Sequence, residues 1–207
     1  MTAEHPLPLR AVALVCTLKP SPAPSSSERM ARQLLDALAR HDVRGDLIRV
    51  VDHDVKPGVE ADMGDGDAWP ALRARVPGAD ILVLATPTWM GHPSSVAARV
   101  LERLDAELSE TDENGRPLVE GKVAIAGVVG NEDGAHLITA KVFQALDDVG
   151  FSIPSQGVAY WNGEAMGSTD YNDLPETPEA VASTIATATR NAAHLARLLA
   201  ASPYPAG

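Results

Sequence analysis

A three-layer α/β sandwich, with a five-stranded parallel sheet between two layers of helices, is the fold class this sequence predicts. Two observations carry that expectation. Short apolar runs recur along the chain, of the kind a strand shows when both of its faces are covered. Between them lie stretches whose apolar residues return every three or four positions, the period of a helix packed on one side. The chain has 207 residues and is 45% hydrophobic, enough for a substantial core.

The first strand is read at residues 11–16 (AVALVC). A helix follows over 25–40, where Met30, Leu34 and Leu38 recur at intervals of four and Leu35 widens the stripe. Ser25 and Glu28 have the spacing of a capping box at its start. A second strand is read at 46–51. Residues 52–67, rich in Asp, Gly and Pro, read as a loop, and 69–76 as a short helix. The clearest strand is 80–86 (DILVLAT). Residues 87–93 read as a loop, after which Ser94 or Ser95 caps a helix with the stripe Val96, Val100, Leu101, Leu104 and Leu108. Strand 122–129 (KVAIAGVV), helix 134–149, a strand within 151–161 and helix 177–201 complete the series. Five such units commonly adopt the flavodoxin-like strand order 2-1-3-4-5, which alternation alone does not fix. One domain spanning 11–201 is expected, with an N-terminal extension at 1–10 and a tail at 202–207.

Charge and composition exclude several functions. With 17 basic and 28 acidic side chains the net charge is −11, unsuited to nucleic acid, whose binders need positive surface. The single cysteine, Cys16, excludes an internal disulfide framework and a multi-cysteine metal site, and no metal is expected. No apolar run is long enough to span a membrane, and residues 1–10 lack the apolar stretch of a secretory signal. The expected setting is the cytoplasm.

Open parallel sheets bind ligands beyond the carboxyl ends of their strands, so the loops there are the informative ones. The first (TLKPSPAPSSS) contains no glycine, which excludes a Walker loop and the dinucleotide fingerprint. It offers instead hydroxyls and Lys19 near a helix N-terminus, a cradle suited to a phosphate monoester. It also reads as an ordinary capped helix behind a Ser/Pro stretch. The second (PTWMGHP) places Trp89 and Met90 outside a buried strand, where a planar ligand, a partner subunit or the following helix must cover them. The third (GNEDG) is a polar turn between glycines. The fourth begins with Tyr160 and Trp161. Three of only eight aromatics therefore lie on ligand-side loops, a concentration that points to stacking.

Together the serine-rich first loop, PTWMGHPSS, GNEDGAH and YWNGEAMGSTDY resemble the NAD(P)H-dependent FMN reductase family, which includes flavodoxin-like quinone reductases. The resemblance implies FMN as cofactor, with Thr17, Lys19, Ser25, Ser26 and Ser27 at its phosphate. Pro87, Thr88, Trp89, Met90 and Gly91 would flank the ring, and Gly130, Asn131 and Gly134 would lie along its edge. His92, Tyr160 and Trp161 would fall on the substrate side. No catalytic side chain is required, because the flavin carries the chemistry. The implied function takes a hydride from NAD(P)H and reduces a quinone, a flavin or a similar small electron acceptor, in a homodimer or homotetramer. Two rival readings are an electron carrier with no NAD(P)H oxidation of its own and an FMN-free binding or assembly subunit.

Overall fold

The computed structural model describes residues 8–205; residues 1–7 and 206–207, part of the expected extension and tail, lie outside them. Strand β1 (Leu9–Val15) leads through a long loop to α1 (Ser26–Ala39), β2 (Val43–Arg49) and the short α2 (Trp69–Arg73). Then come β3 (Ile81–Trp89), β4 (His92–Pro93), α3 (Ser95–Leu104), β5 (Val123–Gly130), α4 (Ala135–Asp148), β6 (Val158–Asn162) and α5 (Glu179–Ala201). The sheet runs β2-β1-β3-β5-β6, every neighbour parallel, with β4 attached to β3 as an antiparallel stub. Leaving that stub aside, the order is the expected 2-1-3-4-5.

Alternation along the strands sorts the core into two layers. Ala11, Ala13 and Val15 of β1 face one side with Met30, Leu34 and Leu38 of α1 and Val181, Ile185 and Ala192 of α5. Val12 and Leu14 face the other, with Val100 and Leu104 of α3 and Ile138, Val142 and Leu146 of α4. Helices on both faces keep both sides of each central strand from water, hence the unbroken apolar runs.

Several boundaries differ from the sequence reading. β1 begins at Leu9, which pairs with Val43, so the expected extension at 1–10 gives two residues to the sheet. β2 starts three residues earlier than read and ends in a 3₁₀ turn, Val50–Asp52. It is an edge strand whose Arg44, Gly45 and Asp46 are exposed, so half of it carries no apolar signal. The last parallel strand is only Val158–Asn162, preceded by an isolated bridge at Ser152.

The largest correction concerns 87–93, read as a loop. β3 continues through Pro87 to Trp89 and folds back as a hairpin, with Thr88 opposite Pro93 and Trp89 opposite His92. Pro87 is tolerated because β1 has already ended beside it. The Ala85 carbonyl accepts from the Cys16 amide, and two residues on the same edge of β3 no longer faces a strand. Met90 and Gly91 form the turn, with φ of +51° and +73°. Among the described residues, no helix is long and apolar enough to cross a membrane.

Candidate functional site

A cleft opens at the carboxyl edge of β1, β3, β5 and β6, where the strand order reverses. Its first wall is the loop after β1 and the start of α1. Thr17 is buried and its Oγ1 accepts from the Lys19 amide at 3.3 Å; Lys19 itself is exposed. Ser25 caps α1, its Oγ accepting from the Glu28 amide at 3.3 Å, and Ser26 and Ser27 occupy the first turn. The capping box is only half made. Instead of reaching back, the Glu28 carboxylate accepts from Arg49 and Arg32. Burial pushes the Glu28 carboxyl up, but the Arg49 and Arg32 guanidiniums outweigh it and hold the group below its ordinary value.

The helix amides are not all open, contrary to the cradle read from sequence. The Asn172 carboxamide lies 3.2 Å from the Ser26 nitrogen and 3.3 Å from the Ser25 nitrogen, and with its oxygen toward them it accepts from both. An anion at this helix end therefore meets the serine hydroxyls and the Ser27 end of the turn, or displaces Asn172.

The second wall comes from β3 and β5. Pro87, Thr88 and Trp89 line the cleft together with Gly130 and Asn131. Thr88 is 4% exposed, and its Oγ1 has no hydrogen-bond partner among the described residues. A buried hydroxyl left without a partner costs about 1–3 kcal/mol, so this atom is suited to a ligand group. Gly130 is required beside it, since a Cβ there would stand 2.6 Å from the Thr88 Cβ. Trp89 is 53% exposed at the rim and leaves its ring available for stacking. The Asn131 side-chain nitrogen donates to the Gly167 carbonyl at 3.0 Å.

Trp161 closes the floor, tilted against Tyr171 with ring centroids 5.5 Å apart. Tyr171 is fully buried, donates to Gln33 Oε1 at 2.7 Å and lies under the Arg29 guanidinium. Burial pushes its phenol up.

The cleft thus gathers Thr17, Lys19, Ser25, Ser26, Ser27, Pro87, Thr88, Trp89, Gly130, Asn131 and Trp161. Met90, Gly91 and Gly134 shape its rim without lining it. Met90 is 87% exposed at the hairpin tip, where its amide donates to Glu132 at 2.7 Å. Gly134 packs so tightly on Gly91 that a Cβ would stand 2.7 Å from the Gly91 Cα. Two residues read as substrate-side lie elsewhere. Tyr160 points to the opposite sheet face, edge-on to His136 at 5.3 Å, because neighbouring strand residues alternate. His92 faces α4, its Nδ1 2.8 Å from Lys141 Nζ. Sequence reasoning missed Leu18, Asp170 and Tyr171, which line the cleft, and Asn172 behind the helix end. Only Tyr171 carried a usable signal, as an aromatic in a polar stretch after the fourth loop. Cys16 is fully buried, with its thiol pushed far up by burial, as expected of a core cysteine.

The chain resembles several known proteins. It is 30% identical over 210 residues to 8-demethyl-8-aminoriboflavin-5'-phosphate synthase from Streptomyces davaonensis, covering 95% of this chain and 80% of that protein. A divalent metal cation transporter from Mycobacterium bovis shares 40% identity over 169 residues, which span 80% of this chain but only 25% of the transporter. The structure of RosB with bound 8-demethyl-8-formylriboflavin-5'-phosphate superposes with a TM-score of 0.85 at 30% identity, covering 95% of this chain and 82% of that one. An NADH:FMN oxidoreductase in its apo form gives a TM-score of 0.65 at 20% identity, over 94% and 92% of the two chains, a likeness of fold. A cleft with a hydroxyl-rich helix end, an unpaired buried hydroxyl and a half-exposed indole fits FMN. Residues 9–165 match the family described as NADPH-dependent FMN reductase, and the chain belongs to that family of flavin-associated oxidoreductases.

Proposed function

We propose that this chain is an FMN-dependent oxidoreductase that draws electrons from NAD(P)H and delivers them to a small acceptor such as a quinone or a free flavin. The observation that carries the reading is one cleft lined both by hydroxyls at a helix N-terminus and by aromatic and apolar side chains. Thr17, Lys19, Ser25, Ser26 and Ser27 supply the first, and Pro87, Trp89 and Trp161 the second, with the unpaired Thr88 hydroxyl among them. FMN, when bound, supplies the redox chemistry. Its phosphate would be held by the hydroxyls and the helix dipole, Trp89 would cover part of the ring, and the Thr88 hydroxyl would gain the partner it lacks. Gly130 and Asn131 would border the ring, whose reduced form amide donors would favour. Trp89 is exposed, so a donor and an acceptor would meet the ring in turn beside it. Exposed Trp89, Met90, Leu137 and Met166 support assembly as a homodimer or homotetramer, and the reading places the protein in the cytoplasm.

A second reading rests on the synthase and RosB: flavin phosphate is the molecule acted on rather than a retained cofactor. One experiment separates the two. The purified protein is mixed with FMN and NADH or NADPH, and nucleotide oxidation is followed with a quinone, free flavin or a ferric chelate as acceptor. The ferric chelate belongs in the panel because of the divalent-cation transporter relative, since its reduction yields a divalent cation. Acceptor-dependent oxidation with FMN recovered at unchanged mass is the expected result. No oxidation with any acceptor, or FMN recovered with altered ring substituents, contradicts it.

A further inference from the structure

We propose that Arg49 and Asp52, at the end of β2 and outside the cleft, are positioning residues that hold the first loop in its phosphate-binding shape and so set the preference for phosphorylated over unphosphorylated flavin. This rests on the flavin reading above. The loop runs Lys19-Pro20-Ser21-Pro22-Ala23-Pro24. Its three prolines have no amide to donate, and no glycine lets the backbone wrap an anion. Within the segment the Ala23 amide donates to the Pro20 carbonyl at 3.0 Å, and its remaining anchors come from outside.

The residues between the prolines are the ones held. Arg49 Nη1 donates to the Lys19 carbonyl at 3.1 Å and to the Ala23 carbonyl at 2.9 Å. Between those two points, the Asp52 carboxylate accepts from the Ser21 amide at 2.8 Å and from its hydroxyl at 2.5 Å. The remaining side of the guanidinium grips Glu28, with Nε 2.8 Å from Oε2, tying the brace to the first turn of α1. Arg49 is 8% exposed, so these bonds are sheltered from competing water. Lys19, Ser21 and Ala23 are thereby fixed against the edge strand, and Lys19 and the 25–27 serines are presented to the cleft from both ends of a stiff span. Ordering that span before the ligand arrives removes an entropic cost from phosphate binding. Neither brace residue touches the ring end, so a ligand lacking the phosphate gains nothing from them.

The test compares Asp52→Ala and Arg49→Met with the parent, using FMN and riboflavin as probes and recording thermal stability without flavin. Arg49→Met leaves Glu28 paired with Arg32, so no carboxylate is stranded. Asp52 is exposed, so its variant is expected to fold even where Arg49→Met does not. The expected result is FMN affinity weakened by about tenfold in each folded variant, with riboflavin affinity within about twofold of the parent. An Asp52→Ala protein whose FMN affinity stays within about twofold of the parent overturns the proposal, as does an equal loss for both probes. A parent that binds no FMN overturns the flavin reading itself, and the role of the brace with it.

Discussion

Arg103→Met is expected to lower folding stability by about 3–5 kcal/mol, the scale for removing one partner of a buried ion pair. The Arg103 and Asp67 side chains are both fully excluded from solvent, 2.7 Å apart. The guanidinium also donates to the carbonyls of Lys56 at 2.9 Å and Glu60 at 2.8 Å, and it lies 5.7 Å from the Trp69 ring centre. It is the post around which 56–67 is wound, and it sits in a helix whose apolar stripe gives no hint of it. Met keeps much of the length but strands those carbonyls and the Asp67 carboxylate. Denaturant unfolding at neutral pH measures the loss, and a change under about 1 kcal/mol would show the pair to be dispensable.

The same pair gives a pH signature. Burial pushes the Asp67 carboxyl up, but the Met63, Trp69 and Lys56 amides and Arg103 outweigh it and hold it well below the ordinary range. A carboxyl lowered in the folded state stabilises above its unfolded value, about pH 4, and that contribution fades as pH falls toward the folded value. In Arg103→Met one of the groups holding the carboxyl down is gone. The acid-dependent part of stability should therefore shrink, giving a shallower fall below about pH 4 than in the parent.

Gly134→Ala carries the second large effect, and here flavin binding is the readout. Gly134 has φ of +129°, a conformation that L side chains rarely adopt, and costs on the order of 1–3 kcal/mol for alanine. The added Cβ would also stand 2.7 Å from the Gly91 Cα and 3.0 Å from its carbonyl oxygen, and main chain cannot swing aside as a side chain can. The hairpin tip must move, and Trp89 with it. Gly91→Ala is the control: φ is +73°, but nothing lies within 4 Å of its Cβ position. That variant bears only the left-handed cost of about 1–2 kcal/mol. Gly134→Ala should weaken FMN binding and reduce FMN quenching of tryptophan emission, whereas Gly91→Ala should keep both close to the parent. Equal behaviour of the two would mean that the hairpin and the 131–134 loop are not interlocked.

The central strands were legible because both faces of β3 and β5 are covered, leaving no polar residue to interrupt the run. β2 was read three residues late because an edge strand mixes exposed and buried positions without a clean period. The 87–93 hairpin was hidden twice over: Pro87 argues against a strand, and Met90-Gly91 is not the Asn-Gly or Asp-Gly pair that signals such a turn. In the site, the residues at or just past the carboxyl ends of strands (Thr17, Thr88, Gly130) were readable from position alone. Arg49 and Asn172 were not, since the fold brings them to the first loop and the start of α1 across long sequence separations. The separation of Tyr160 from Trp161 was within reach, because a strand must send neighbours to opposite faces.

The central claim is that the cleft at the carboxyl edge holds a flavin by its phosphate as well as by its ring. The measurement that tests it most directly is a titration of the purified protein with FMN and, separately, riboflavin, followed by flavin absorption and tryptophan emission. The account predicts that both ligands quench tryptophan emission and that FMN binds at least about tenfold more tightly, the difference of one or two charge-assisted hydrogen bonds. Equal affinity for the two, or no uptake of FMN, would contradict it.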